Sequence, residues 1–168
     1  VLLISGPVNL PVPNGVRMQS VTTAEQMRDA VLAVYDQMDI VVKAAAVADY
    51  RPEIVADQKI KKSDEEVTFH FVKNPDILAY IGQHKKENQV ICGFAMETQN
   101  LEENARKKLE SKNCDMLIAN NLFTSGAGFQ TDTNVVTLIT KDDCRQLEIM
   151  SKADVAAAIV SEILQKMQ

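Results

Sequence analysis

The chain lacks most of the features that would tie it to a membrane, a nucleic acid or a metal. No apolar run approaches the roughly 20 residues of a membrane-spanning helix, and no stretch joins a charged start, an apolar middle and a small-residue cleavage site. Basic residues are outnumbered, 18 Lys and Arg against 23 Asp and Glu for a net charge of −5, which argues against a general nucleic-acid surface. Its three cysteines (Cys92, Cys114, Cys144) and two histidines (His70, His84) show neither metal-ligand spacing nor a triad, so the cysteines read as reduced packing residues. Internal repeats, low-complexity linkers and a Gly-x-Gly-x-x-Gly turn are also absent. What remains is a globular protein, expected to be cytoplasmic and to form one domain over residues 1–168. A starting methionine is missing too: the chain opens on Val1-Leu2-Leu3-Ile4-Ser5 in mid-strand, as expected of a piece incomplete at its amino end.

What is present is a core and a regular alternation of elements. Apolar residues make up 46% of the chain and charged residues 24%, and a chain of this length buries roughly 70% of its unfolded surface. Strands are expected at 1–5, 16–21, 40–47, 67–72, 89–95 and 115–119. A hairpin is expected from 134–140 and 145–150 around Lys141-Asp142-Asp143-Cys144. Helices are expected over about 23–38, after a Thr22/Glu25 capping box; from Pro75 to about Lys85, capped by Asn74; after Asn100 with Glu103; and after Ser151, with an apolar stripe of Ala156, Ile159, Val160, Ile163 and Leu164. The run Ile40 to Val47 is nearly all apolar, as in a parallel strand covered on both faces. The pattern predicts an α/β, Rossmann-like, doubly wound and mostly parallel sheet with an appended β-hairpin.

In such sheets ligands bind beyond the carboxyl ends of the strands. Ser5-Gly6, Ala48-Asp49-Tyr50, Phe94 to Thr98 and Asn120-Asn121 all end strands there. Gly6 suits close approach of a phosphate or a simple turn before Pro7. Asp49 suits a ribose hydroxyl, a magnesium ion or a turn cap. Lys59, Lys61 and Lys62 suit either a flap over a polyanion or a solvated charge run. Lys108 and Lys112, four apart on one helical face, suit a triphosphate or the helix dipole. Phe94 suits a stacked base or the core. Gly126-Ala127-Gly128-Phe129 is only a weak phosphate-loop pattern.

Ala44-Ala45-Ala46-Val47-Ala48-Asp49-Tyr50, Lys59-Ile60-Lys61-Lys62, Lys73-Asn74-Pro75-Asp76-Ile77-Leu78, Gly93-Phe94-Ala95-Met96-Glu97-Thr98 and Asp115-Met116-Leu117-Ile118-Ala119-Asn120 occur in that order. Together they closely resemble phosphopantothenoylcysteine synthetase, over residues 1 to about 140. The resemblance implies a ligase that joins 4'-phosphopantothenate and L-cysteine through an acyl-cytidylate made from CTP, with Mg2+, in coenzyme A biosynthesis. It implies Lys59 as the catalytic lysine of a flap, and Ser5, Gly6, Asp49, Lys59, Phe94, Lys108 and Lys112 as nucleotide-binding residues. It also implies a homodimer with contacts near Ala44 to Tyr50 and the hairpin-like region, and a flavin-dependent decarboxylase as partner or fusion. The family's first strand and turn, and a following segment with an arginine and an asparagine that handles the acyl substrate, have no counterpart, so the first βα unit is expected to be missing. The rival readings are a non-catalytic nucleotide-binding subunit and a dinucleotide-dependent oxidoreductase.

Overall fold

Two runs almost free of polar side chains, Val90 to Ala95 and Met116 to Ala119, form the middle of the main sheet, because only a strand flanked on both edges and both faces can hide such a sequence. The computed structural model describes residues 1–62, 66–97, 100–121 and 131–167. In chain order the elements are β1 (Leu2–Ser5), β2 (Arg17–Ser20), α1 (Ala24–Leu32), a 3₁₀ turn (Tyr35–Gln37), β3 (Ile40–Lys43), β4 (Tyr50–Pro52), β5 (Phe71–Lys73), α2 (Ile77–Gln83), β6 (Val90–Glu97), α3 (Leu101–Ser111), β7 (Met116–Asn121), β8 (Thr133–Asn134), β9 (Val136–Ile139), β10 (Cys144–Gln146), β11 (Met150–Ser151) and α4 (Lys152–Lys166). Contacts gather these into two units, one from 1–31 with 46–76 and the other from 32–45 with 77–168.

In the second unit the strand order is β10-β9-β7-β6-β3. Strands β3, β6 and β7 run parallel, with Val42 beside Cys92 and Cys92 beside Met116. The expected hairpin extends this sheet: β9 lies antiparallel on β7 and β10 antiparallel on β9. The result is mixed α/β with a mostly parallel central sheet, as the sequence predicts. On one face Val90, Cys92, Met116, Ile118, Val136 and Leu138 pack under Val155, Ile159 and Ile163 of α4. On the other, Gly93 lies against Leu78 of α2, among the fully buried Ile91, Leu117 and Ile139. The Cys92 thiol, free and wholly buried, has its pKa pushed well up by desolvation and stays neutral.

Polar groups fasten the amino-terminal ends of these strands. Asp115 receives Lys85 Nζ at 2.6 Å on one oxygen and the Ile91 amide at 2.8 Å on the other, tying β7 to β6. Gln89 is buried, and its Nε2 donates to the carbonyls of Tyr35 and Met38. Gly82 admits the α3 terminus: a Cβ there would stand 1.8 Å from the Lys112 carbonyl oxygen.

In the first unit, β1 and β2 form a parallel pair and β4 and β5 an antiparallel ribbon. Gly15, with φ +76°, makes the left-handed turn that brings the chain into β2.

Several local expectations are corrected. The capping box of α1 is built one residue later: Thr23 Oγ1 accepts from the Gln26 amide, and Gln26 Oε1 accepts from the amides of Thr22 and Thr23. The helix ends at Leu32 and does not reach 38. Ala44 to Val47 is not strand, and Val42 is exposed because β3 is an edge among the described residues. Residues 67–70 are outside any strand, and Val67, Phe69 and Phe71 are exposed. Asn100 precedes α3 with φ 47° and makes no side-chain cap. Helix α2 begins at Ile77 instead of Pro75. Ser151 does cap α4, accepting from the Asp154 amide, but Val160 and Leu164 of the expected stripe face outward. The Gly126 to Phe129 pattern lies outside the described residues.

A glycine inside a helix ordinarily gains up to about 1 kcal/mol on replacement by alanine. Here Gly82→Ala is expected to lose on the order of 3 kcal/mol, since the obstacle is backbone. Gly93→Ala should cost about half as much, because the obstacles are the ends of two leucine side chains that can turn away. Urea unfolding of both variants checks that order.

Candidate functional site

Pairing of β6 with β7 puts Phe94 beside Ile118 and Met96 beside Asn120. Residues so paired share a face, so Phe94, Met96 and Asn120 continue the row that begins with Cys92 and Met116. The row leaves the core as it approaches the carboxyl ends of the strands: Cys92 is 0% exposed, Phe94 36% and Met96 46%. Phe94 therefore does not fill the core, and the burial alternative for it is corrected. Beside it, Asn120 Oδ1 is buried and has no hydrogen-bond partner among the described residues. A buried acceptor without a donor costs about 1–3 kcal/mol, which a ligand N–H can recover. A partly exposed aromatic side chain, one same-face step along the ladder from a buried amide oxygen that lacks a donor among the described residues, suits a planar heterocycle that carries an amino group. The sequence reading placed Asn120 at a strand end and gave it no role; its hydrogen-bond deficit has no signature in the sequence.

Lys108 is exposed in the last turn of α3, and Lys112 is its C-cap. The Lys112 amide donates to the Lys108 carbonyl at 2.9 Å, and three residues later the Asp115 amide donates to the Ile91 carbonyl. Those contacts put the end of α3 at the start of β6, so the structure does not bring Lys108 and Lys112 to the Phe94 end of the sheet. A separate shallow cleft is lined by Leu101, Glu102, Val135, Thr137, Cys144 and Gln146. Burial first, and the Glu102 carboxylate second, raise the Cys144 pKa and keep its thiol protonated, unsuited to nucleophilic work.

In the first unit the Ser5 hydroxyl donates to the Gly6 carbonyl at 2.9 Å. A Cβ on Gly6 would meet nothing within 4 Å, so the turn leaves open space. Asp49 is exposed, and its carbonyl accepts from the Asn74 amide at 2.8 Å. Lys59, Lys61 and Lys62 are exposed in the loop between β4 and β5, whose base is closed by the Glu53 amide donating to the His70 carbonyl at 2.9 Å. His84 stacks on Tyr80 with ring centroids 4.2 Å apart and points Nδ1 at the Tyr80 carbonyl, a packing role.

Residues 1–167 match the family described as the DNA/pantothenate metabolism flavoprotein C-terminal domain. The chain belongs to this family. Among its relatives, the coenzyme A biosynthesis bifunctional protein CoaBC of Bacillus subtilis (strain 168) is 51% identical over 165 residues, which are 97% of this chain and 40% of that protein. The chain thus spans well under half the length of that relative. The crystal structure of the C-terminal domain of a CoaBC superposes with a TM-score of 0.81 at 35% identity, covering 99% of this chain and 74% of the other. A Cab2 mutant in complex with phosphopantothenate-cysteine shares the fold, with a TM-score of 0.70 at 19% identity over 90% of this chain and 53% of that one. In this member of the family, Asn120 Oδ1 on that row is buried without a hydrogen-bond partner among the described residues.

Removing an unpaired acceptor removes its desolvation cost. Asn120→Ala is therefore expected to leave stability within about 0.5 kcal/mol of the parent or to raise it. A loss of more than about 1.5 kcal/mol on urea unfolding would mean that the amide has a structural partner.

Proposed function

We propose that the protein is the synthetase part of a coenzyme A biosynthesis enzyme, a single ligase domain joining 4'-phosphopantothenate to L-cysteine with CTP as co-substrate. The observation that carries this reading is the match of nearly the whole chain to the CoaBC relative. The Cab2 neighbour, whose complex holds phosphopantothenate-cysteine, supports it through fold. The partly exposed Phe94 and the Asn120 oxygen, which has no partner among the described residues, support a nucleobase that bears an amino group, as cytosine does.

The chemistry has two displacements. The carboxylate of phosphopantothenate attacks the α-phosphorus of CTP; a P–O bond forms, another breaks, and pyrophosphate leaves. The cysteine amine then attacks the acyl carbon, the acyl–oxygen bond breaks, CMP leaves with the electron pair, and the amine gives up a proton. Both steps build charge on phosphate oxygens, which the Lys59 ammonium on its exposed loop neutralises. Ser5 and Gly6 offer an open turn for a phosphate, and Asp49 a carboxylate for the ribose or for magnesium. Mg2+ arrives with the triphosphate: it commonly rests on substrate phosphates and one or two carboxylates, and the described residues contain no group of three or more His, Cys, Asp or Glu that could hold a metal ion. Lys108 and Lys112 take a place on the triphosphate by resemblance alone, against their position at the far end of β6.

The working unit is a cytoplasmic homodimer, with a flavin-dependent decarboxylase as fused or separate partner. Exposed Tyr50 and Phe71 on the β4 and β5 ribbon, with Ile54, Val55 and Phe69 beside it, give a second copy an apolar surface to cover.

The first experiment is pyrophosphate release by the full-length protein with phosphopantothenate, Mg2+ and either CTP or ATP, with and without cysteine. Release that requires phosphopantothenate, with CMP and an amide appearing on addition of cysteine, is expected; no release from folded dimer with either nucleotide overturns the ligase. Lys59→Ala should hold CTP affinity within about tenfold, roughly 1.4 kcal/mol, while turnover falls far more. Phe94→Ala should weaken CTP by about tenfold or more, the range of one lost stacking contact, and Lys112→Ala by less than about threefold. Titration calorimetry reads both. Phe71→Asp is expected to give monomer in sedimentation and to abolish ligation; an active monomer contradicts the dimer requirement.

A further inference from the structure

Between Ala48 and Asp49 the first unit has no helix or strand to fix the backbone, and yet Asp49 must present its carboxylate reproducibly if it is to serve a nucleotide. What fixes it comes from Asn74, immediately after β5. Its Nδ2 donates to the Ala48 carbonyl at 2.9 Å and its backbone amide to the Asp49 carbonyl at 2.8 Å. Two successive carbonyls of the turn are thus held by one residue. The asparagine expected to cap a helix is used as a clamp.

Asn74 is itself held. Arg51 on β4 donates from Nη1 to Asn74 Oδ1 at 3.2 Å and to the Lys73 carbonyl at 2.9 Å. Its second terminal nitrogen, Nη2, donates to Glu25 Oε1 of α1 at 3.0 Å. The guanidinium therefore sets which way the Asn74 amide faces: with Oδ1 on Arg51, Nδ2 must point to Ala48. The contacts use two nitrogens held apart in one rigid plane, Nη1 toward Lys73 and Asn74 and Nη2 toward Glu25, and lysine has a single terminal nitrogen, so it is no equivalent substitute here.

We infer that Arg51 and Asn74 are positioning residues: acting through Asn74, Arg51 holds the Ala48-Asp49 turn in the one arrangement that receives the nucleotide. Neither touches the reacting atoms. The inference rests on the nucleotide-ligase reading of Asp49, but the hydrogen-bond chain exists whatever that reading's fate, and the test separates the two.

The full-length protein is compared with Arg51→Lys, Asn74→Ala, the double variant and Glu25→Ala, by calorimetric titration with CTP and by backbone hydrogen exchange of residues 46–51 without nucleotide. Arg51→Lys and Asn74→Ala are each expected to raise the CTP Kd about tenfold and to speed exchange in 46–51, with kcat at saturating CTP changed less than about threefold. The double variant should be no worse than Asn74→Ala alone, since both remove the same clamp. Glu25→Ala, which cuts only the tie to α1, should lower thermal stability and leave the CTP Kd within about twofold. A brace with no positioning role gives a different pattern: Glu25→Ala and Arg51→Lys lose stability alike while CTP affinity stays put, and that result overturns the inference. Additive losses in the double variant overturn it as well. If the parent protein binds neither CTP nor ATP, the ligase reading falls, and exchange alone decides: faster exchange of 46–51 in Arg51→Lys upholds the clamp, unchanged exchange removes it.

Discussion

Everything in the larger unit depends on β6 lying between β3 and β7 with no room to spare. Ile91 and Cys92 are completely enclosed, and so are Met116, Ile118 and Ala119 across the ladder. Gly93 is what allows it: a side chain there would collide with Leu78 on α2 and Leu117 on β7. At roughly 25 cal/mol per Å2 of apolar surface removed from water, burial of these side chains is the largest favourable contribution. The hydrogen bonds of Asp115 and Gln89 add little by comparison, but they fix the register in which that burial occurs. A shift of β6 by one residue would exchange the faces of Cys92 and Ile91 and strand both packing surfaces.

The same register builds the candidate site. Because the side chains of β6 and β7 alternate in step, the row that is core at Cys92 and Met116 becomes accessible at Phe94 and Met96 and ends at Asn120, whose Oδ1 has no partner among the described residues. The core and the candidate site therefore share one row of residues and part only where the sheet runs out from under α4. The first unit solves the converse problem. It has little enclosed apolar surface around Asp49, and it holds that turn with directed hydrogen bonds from Asn74 and Arg51.

How much of this was legible in the sequence differs by type of feature. The central strands and α4 declare themselves because burial on two faces or one leaves a pattern in consecutive residues, as from Val90 to Ala95. Ser151 and Gln26 illustrate the limit of cap rules: Ser151 caps as its type predicts, whereas Thr22 and Glu25 fit the box and lose it to Thr23 and Gln26, with Glu25 drawn instead to Arg51. That competition is tertiary and could not be seen locally. Val67, Phe69 and Phe71 alternate like a half-buried strand but remain exposed, since alternation states what could be covered and not what covers it. The roles given to Phe94, Asp49 and Lys59 rest on resemblance to a family; the hydrogen bonding of Asn120 and Arg51 required the three-dimensional structure. Lys108 and Lys112 share a helical face as their spacing says, but spacing does not tell which end of the sheet that face reaches.

The two units are also interleaved along the chain: residues 32–45 belong with 77–168, while 46–76 returns to the segment that began the chain. In vectorial synthesis β3 therefore leaves the ribosome long before its ladder partner, since Ile40 pairs with Val90. Until β6 arrives, Val42 and its neighbours are an apolar strand with two open edges, the kind of segment that invites association with other chains. The β9 and β10 hairpin, by contrast, closes over the short Thr140 to Asp143 turn as soon as it is made. Local pairing should thus precede the parallel ladder, and the slow step of folding is the long loop closure that delivers β6 to β3.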